Sequence, residues 1–396
     1  MSVRRDRLLL AAMVFVVLFA QVLLYPGIDT LVGALGAETD LDASMWFLAA
    51  EFAAFVAFAG LWGALSDRAG RRTPFIAAGA VGGAVGYAVL AVLPGAVDLS
   101  FGAVLGLRAL QGAATIGAFS LAMTMLMDLE GGHGRNMAAA GAAIGGGTAL
   151  GAPLGGQLSE LGPLVPLYVA SVLLFGVAVL ATAVGDRAPS GDRKSLARAL
   201  SGLQATPTLG VPYAFGFLDR LTAGFFALVG TLYFRSVFGA GPGETGLLLA
   251  LFFAPFALLQ YPMGVLSDRI GRTVPIVAGS AAYGVVVFAI GQAPTVQLAG
   301  AGMLLVGILG ALMSPATMAL VSDLATPDER GVAMAGFNVF GSLGFLAGVV
   351  VGGTVASTYG YPEAFAVAGG LELAVALATL PVFLRLDIGR SATFAD

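Results

Sequence analysis

No cysteine occurs among the 396 residues, and there is one histidine, His133, and one lysine, Lys194. Without thiols there is no disulfide framework, no thiolate zinc site and no cysteine nucleophile. A single imidazole cannot build a histidine metal cluster, so neither a metal nor another cofactor is expected. A Walker loop needs Gly-Lys-Ser/Thr, whereas Lys194 follows Arg193, which excludes ATP as an energy source within this chain. Charge is scarce too: Asp, Glu, Lys and Arg make up 11% of the chain, against about 25% in soluble domains. The net charge of -4 and the lack of a basic tract argue against nucleic acid as a partner. Nothing in the sequence suggests an enzyme. The formal Gly-x-Gly-x-x-Gly match at Gly241, Gly243 and Gly246 lies between two apolar runs rather than after a strand.

What the chain has in abundance is apolar sequence, 58% of all residues. A helix crosses the ~30 Å hydrocarbon core with about 20 mostly apolar residues. Twelve runs of that kind are spaced along the chain, at 8–32, 44–65, 74–95, 100–126, 136–158, 163–184, 209–234, 246–266, 274–292, 297–320, 332–357 and 362–385. They do not alternate apolar and polar residues as barrel strands do, so they read as helices. The first run is preceded by Arg4, Arg5 and Arg7 but far exceeds a signal-peptide core, and is read as a retained helix. With the N-terminus cytoplasmic, 16 of the 19 basic residues fall in inward segments, which places both termini in the cytoplasm of a cell-membrane protein. Only Arg235 falls outside, and Arg108 and Arg220 lie within helices.

The polar stretch 185–208 divides the chain into two six-helix halves, 1–184 and 209–396. The halves are related. Gly63-Ala-Leu-Ser-Asp67-Arg-Ala-Gly-Arg71 recurs 201 residues later as Gly264-Val-Leu-Ser-Asp268-Arg-Ile-Gly-Arg272. Asp128 and Arg135 recur as Asp323 and Arg330, and Gly147, Gly151, Gly155 and Gly156 as Gly344, Gly348, Gly352 and Gly353. Such duplication is the sequence mark of a secondary transporter. In the repeated turns, Gly63 and Gly264 suit close helix contact. Arg71 and Arg272 suit pairing with the carboxylates Asp128 and Asp323 at neighbouring helix ends, beside Asp67 and Asp268.

The repeated turn, which ends in Arg71-Arg72, resembles the signature loop of the major facilitator superfamily, and the resemblance covers essentially the whole chain. Arg108-Ala-Leu-Gln111-Gly112 resembles the Arg-x-x-Gln-Gly motif of proton-coupled members. Gly147-x-x-x-Gly151-Ala-Pro153-Leu-Gly155-Gly156 is similar to the antiporter signature of drug exporters, with the departure that Ala152 intervenes before the proline. The resemblance implies an all-α membrane fold of twelve helices in two six-helix halves. It also implies a conformational switch built on Gly63, Asp67, Arg71, Asp128, Gly264, Asp268, Arg272 and Asp323. The glycine-rich fifth and eleventh helices are expected both to pack closely and to form a rocking interface between the halves.

Buried charge marks function in membranes. Glu51 lies twelve residues before Gly63, about 18 Å from that helix end and near midplane, and is the best proton carrier. Arg108 is its counter-charge. Asp219 and Arg220 reach similar depth in the seventh helix and need partners elsewhere in the bundle. Gln21, Asp29, Gln111 and Gln260 are candidate cavity residues, and Glu372, in a helix that resembles a peripheral one of the family, is assigned a structural role. The favoured function is proton-coupled efflux of a small lipophilic or cationic compound by a monomer surrounded by lipid. A proton-coupled metabolite importer, and a receptor or lipid flippase on the same fold, stay open. Polyol recognition is disfavoured by the presence of only two Asn and two Trp.

Overall fold

The computed structural model describes residues 3–130, 132–186, 206–326 and 329–385, and among these there are helices and no strands. Backbone groups in hydrocarbon find no water to bond, so long alanine-, leucine- and glycine-rich runs satisfy them within helices. In chain order these are α1 (Val3–Val22), α2 (Ile28–Ala34), α3 (Leu41–Ala69), α4 (Thr73–Ala96), α5 (Phe101–Met127), α6 (His133–Leu161) and α7 (Val165–Thr182). There follow α8 (Pro207–Phe238), α9 (Pro242–Ile270), α10 (Val274–Gly291), α11 (Val296–Leu324), α12 (Arg330–Tyr359) and α13 (Tyr361–Arg385).

Eleven of the described helices are long and apolar enough to cross a membrane. The first apolar run supplies the twelfth, α1, whose first turn carries Arg4, Arg5, Asp6 and Arg7. That run differs from expectation: it breaks at Leu23–Gly27 into α1 and α2, where Pro26 has no N–H to donate and Gly27 packs on Ser159. The expected linker 185–208 falls largely on residues outside those described.

Helix ends follow local chemistry, and the duplication reaches into the caps. Ser100 accepts from Ala103 N at the start of α5, and Thr295, 195 positions on, accepts from Leu298 N at the start of α11. Gly70 and Gly271, at φ +63° and +86°, end α3 and α9 in the left-handed conformation that glycine adopts without strain. Within α8, Phe226–Gly230 forms a π-turn, and the Thr231 hydroxyl donates to the Phe226 and Ala227 carbonyls at 3.2 and 3.1 Å.

The chain forms two compact units, Met1–Asp192 with Phe234–Ala250, and Arg193–Tyr233 with Leu251–Asp396. Within the first, α6 lies directly on α1: a Cβ added at Gly147 would stand 2.8 Å from the Phe15 carbonyl oxygen, and one at Gly151 3.1 Å from that of Phe19. In the second, α12 lies on α8 the same way, and a Cβ at Gly344 or Gly348 would overlap the carbonyls of Phe217 and Leu221. Most of the ladder glycines thus serve the close helix pairing expected of them, against α1 and α8, while Gly156 abuts Pro242 and Gly243 of α9.

Candidate functional site: a buried ion pair and two charged turns

The first unit encloses a polar cluster around Glu51. Both Glu51 and Arg108 are 0% exposed. Arg108 Nη2 donates to Glu51 Oε2 at 2.6 Å, and its Nη1 donates to Gln111 Oε1 at 2.5 Å. Gln111 Nε2 in turn donates to the Thr115 hydroxyl at 2.7 Å. Gly112 explains how α3 comes so near: a Cβ there would stand 3.0 Å from Glu51 Cα and from its carbonyl oxygen. The three conspicuous residues of the Arg108-x-x-Gln111-Gly112 stretch thus supply a counter-charge, its support, and room for the helix that carries the acid. The guanidinium also sits over the Phe47 ring at 4.6 Å and the Tyr87 ring at 5.4 Å.

The cluster is not saturated. Glu51 Oε1, Arg108 Nε, Gln21 Nε2 and the Tyr87 hydroxyl are buried outside the well-aligned hydrogen bonds of the cluster, and Gln21 and Tyr87 lie beside Glu51 as its nearest further donors. Buried polar atoms left unpaired are uncommon and mark places where a proton, water or ligand completes the network. Tyr87 carries no sequence signal beyond being a tyrosine in an apolar run.

The remaining candidates lie elsewhere. Asp29 forms an ion pair with Arg235 Nε, both within the first unit. Gly243 N, beyond that arginine, donates to Glu160 Oε1 at 3.0 Å. Asp219 is partly buried and Arg220 exposed, and neither makes an ion pair or hydrogen bond among the described residues. The partners expected for them are not found there. Gln260 is partly buried and also lacks one. Pro153 is accommodated within α6, and Gly155 and Gly156 abut Leu23 and Pro242.

The repeated turns hold their charges in different registers. In the second unit Arg272 bonds Asp268 at 2.6 Å, Asp323 at 3.2 Å and the Ser267 hydroxyl at 3.0 Å, as the spacing suggests. In the first unit it is Arg72, 7% exposed, that bonds Asp128 at 2.6 Å. Arg71 instead approaches Asp186 at 3.8 Å, and Asp67 is exposed with no ion pair among the described residues. The expected Asp67–Arg71–Asp128 cluster is therefore replaced by two pairs. The cause is Asp186, just past α7, whose Oδ1 accepts from Arg72 N at 2.9 Å and Thr73 N at 3.1 Å and so caps α4. Partial burial alone would raise the Asp186 carboxyl, but these donors and the Arg71 guanidinium outweigh it and hold it below the usual aspartate range. The close contact expected at Gly63 and Gly264 is also absent: a Cβ at Gly63 meets nothing within 4 Å, and one at Gly264 meets only Pro315 at 3.6 Å. Beside Asp128, Arg7 donates to Asn136 Oδ1 at 2.7 Å, and the buried Asn136 donates to the Leu129 carbonyl at 2.6 Å.

The family profile described as Major Facilitator Superfamily matches residues 10–218 and 213–393. The chain belongs to the major facilitator superfamily. Among curated members it is 32% identical over 179 residues to an MFS-type transporter of Methanocaldococcus jannaschii, a match covering 43% of each chain. It is 28% identical over 307 residues to the class G tetracycline resistance protein of Vibrio anguillarum, covering 74% of this chain and 75% of that one. This chain thus spans under half the length of the first relative and three quarters of the second. The superfamily fold is matched by the nucleoside transporter NupG with a TM-score of 0.75 at 15% identity, over 94% of this chain and all of that one. The human organic anion transporter MFSD10 gives 0.62 at 22% identity, over 95% and 99% of the two chains. This member of the superfamily is a multi-pass membrane protein, with eleven described helices long and apolar enough to cross a membrane.

Proposed function

We propose that the protein is a proton-coupled exporter of a small lipophilic or cationic compound, working by alternating access. The observation that carries this reading is the Glu51–Arg108 pair, fully enclosed yet incompletely bonded. Protonating Glu51 cancels its charge and with it most of the attraction that holds the guanidinium. A proton can therefore move between this acid and solvent only as the pair opens, which ties protonation to conformation. Gln111 and Thr115 hold the arginine on α5 while this happens, and Gln21 and Tyr87 offer spare hydrogen-bonding capacity to whichever form is present.

Export is supported by similarity to the class G tetracycline resistance protein and, over 113 residues at 31% identity, to the multidrug efflux pump LfrA of Mycolicibacterium smegmatis. A chain with 26 Phe and 12 Met suits adaptable recognition of lipophilic compounds. On this reading both chain ends face the cytoplasm, and the charged turns around Arg72–Asp128 and Arg272–Asp323 are broken and remade in each cycle. The test is a panel of lipophilic cations added to proteoliposomes that carry an internal pH indicator. Export by exchange predicts proton movement opposite to the compound, abolished by Glu51→Gln. Proton movement in the same direction as the compound would make the protein a symporter and overturn the reading.

A further inference from the structure

The second unit holds another enclosed carboxyl group, which the coupling scheme above leaves unused. Glu372, on α13, is 0% exposed. The crossing of α13 with α10 is tight there: a Cβ at Gly284 would stand 3.0 Å from Leu373 N and 3.1 Å from Glu372 Cβ. Ser280 Oγ donates to Glu372 Oε2 at 2.6 Å. Oε1 has no partner, and neither does the hydroxyl of Tyr283, one turn further along α10 and equally enclosed.

Among the described residues no cation answers this acid. The polar groups nearest to it among those residues are Ser280, which bonds it, and Tyr283 from α10, with Asp219 and Thr222 of α8 in the same region. Arg220, beside Asp219, is exposed and makes no ion pair among the described residues. The remaining neighbour, α12, carries ionisable residues only at its ends, Arg330 and Tyr359. On α13 itself the others are Tyr361, Glu363 and Arg385, near its ends. A carboxylate at Glu372 would face a second acid, with one serine hydroxyl as its hydrogen-bond donor.

We propose that Glu372 is a proton-binding site of the C-terminal unit, separate from the Glu51–Arg108 pair. Its enclosure with one serine donor and no facing cation disfavours the carboxylate, and the charge of Asp219 adds to that. A cation arriving at Asp219 therefore weakens the hold on the proton, which leaves when the enclosure around Glu372 opens. The proton site does not depend on Glu51 coupling transport or on the direction of transport.

Infrared spectroscopy of the full-length protein in lipid nanodiscs tests this, because the carbonyl stretch of a protonated carboxyl is distinct from that of a carboxylate. At neutral pH the wild type should show a protonated-carboxyl band that Glu372→Gln removes and Glu51→Gln leaves in place. Ser280→Ala should move the band without abolishing it, which keeps the test open if Glu372→Gln folds poorly. Alkalinisation should bleach one carboxyl equivalent, at lower pH in Asp219→Asn than in wild type. A band missing at neutral pH overturns the proposal. So does one that persists at every pH where the protein stays folded, which would mark a fixed structural acid, and so does bleaching by sodium at constant pH, which would mark a metal-ion site.

Discussion

Arg108 and Glu51 meet at 2.6 Å with neither side chain exposed, and one oxygen of the acid and one nitrogen of the base lie outside the well-aligned hydrogen bonds. Removing one member of such a pair leaves the other as an uncompensated buried charge, at a cost of about 3–5 kcal/mol. Arg108→Ala should therefore lower both stability and transport. Glu51→Gln keeps the volume and an acceptor for Arg108 but leaves a guanidinium, which cannot deprotonate, without its counter-charge, so it too should lose stability, while gradient-driven transport is lost even where the variant stays folded. Thermal unfolding in detergent beside vesicle uptake separates stability from coupling. Loss of transport only in proportion to the loss of folded protein would reduce the pair to a structural tie. Gradient-driven accumulation by Glu51→Gln vesicles would move the proton carrier elsewhere.

Much of this was legible in the sequence. The twelve spans follow from run lengths, and the meeting of Glu51 with Arg108 was suggested by depth along their helices, since hydrocarbon penalises a lone charge and depth is counted at ~1.5 Å per residue. What depth does not give is azimuth. Asp219 and Arg220 sit at a suitable depth but face no partner among the described residues, whereas Glu372, read as a structural acid, proves enclosed and half-bonded. Asp186 lies in a polar stretch after α7 with no periodicity to place it, so its capping of α4, and the resulting shift from Arg71 to Arg72, was not readable. The glycine ladders were visible as spacing, but spacing does not say which helix fills them.

The ladders give a graded test of packing. At Gly348 an added methyl group would overlap the Leu221 carbonyl, which belongs to backbone and cannot swing aside. Gly348→Ala should lower stability by about 1–3 kcal/mol, seen as a reduced melting temperature. Gly63 has open space around it, so Gly63→Ala should instead gain up to about 1 kcal/mol from helix propensity. If Gly63→Ala is stable yet transports poorly, its role is a close approach made only in another conformation. Intact transport would remove it from the switch.

The two arginines at the α3–α4 turn should separate sharply. Arg72 is largely enclosed and bonds Asp128 at 2.6 Å, while the Arg71 side chain is 71% exposed and 3.8 Å from Asp186. Arg72→Ala should cost about 1–3 kcal/mol, between the values for surface and buried pairs, and Arg71→Ala less than about 0.5 kcal/mol. A double-mutant cycle of Arg72→Ala with Asp128→Asn should show coupling. Arg71→Ala with Asp128→Asn should be additive, and coupling there would restore the pairing that the duplicated spacing suggests.

Asp186 makes the last prediction, because its carboxylate caps α4 through the N–H groups of Arg72 and Thr73. Its carboxyl titrates below the usual aspartate range in the folded protein, so folding favours the ionised form. The sign follows: the stabilisation is complete above the ordinary aspartate value of about 3.9 and is lost as pH falls through the lower folded value. Asp186→Ala should cost about 1 kcal/mol at neutral pH, the usual worth of a helix cap, and Asp186→Asn less, since an amide oxygen also caps. The melting-temperature gap between wild type and Asp186→Ala should then be constant from neutral pH down to about pH 5 and close below about pH 4. A gap that widened on acidification would mean that the neutral acid, rather than the carboxylate, holds the end of α4, and the capping assignment would fail.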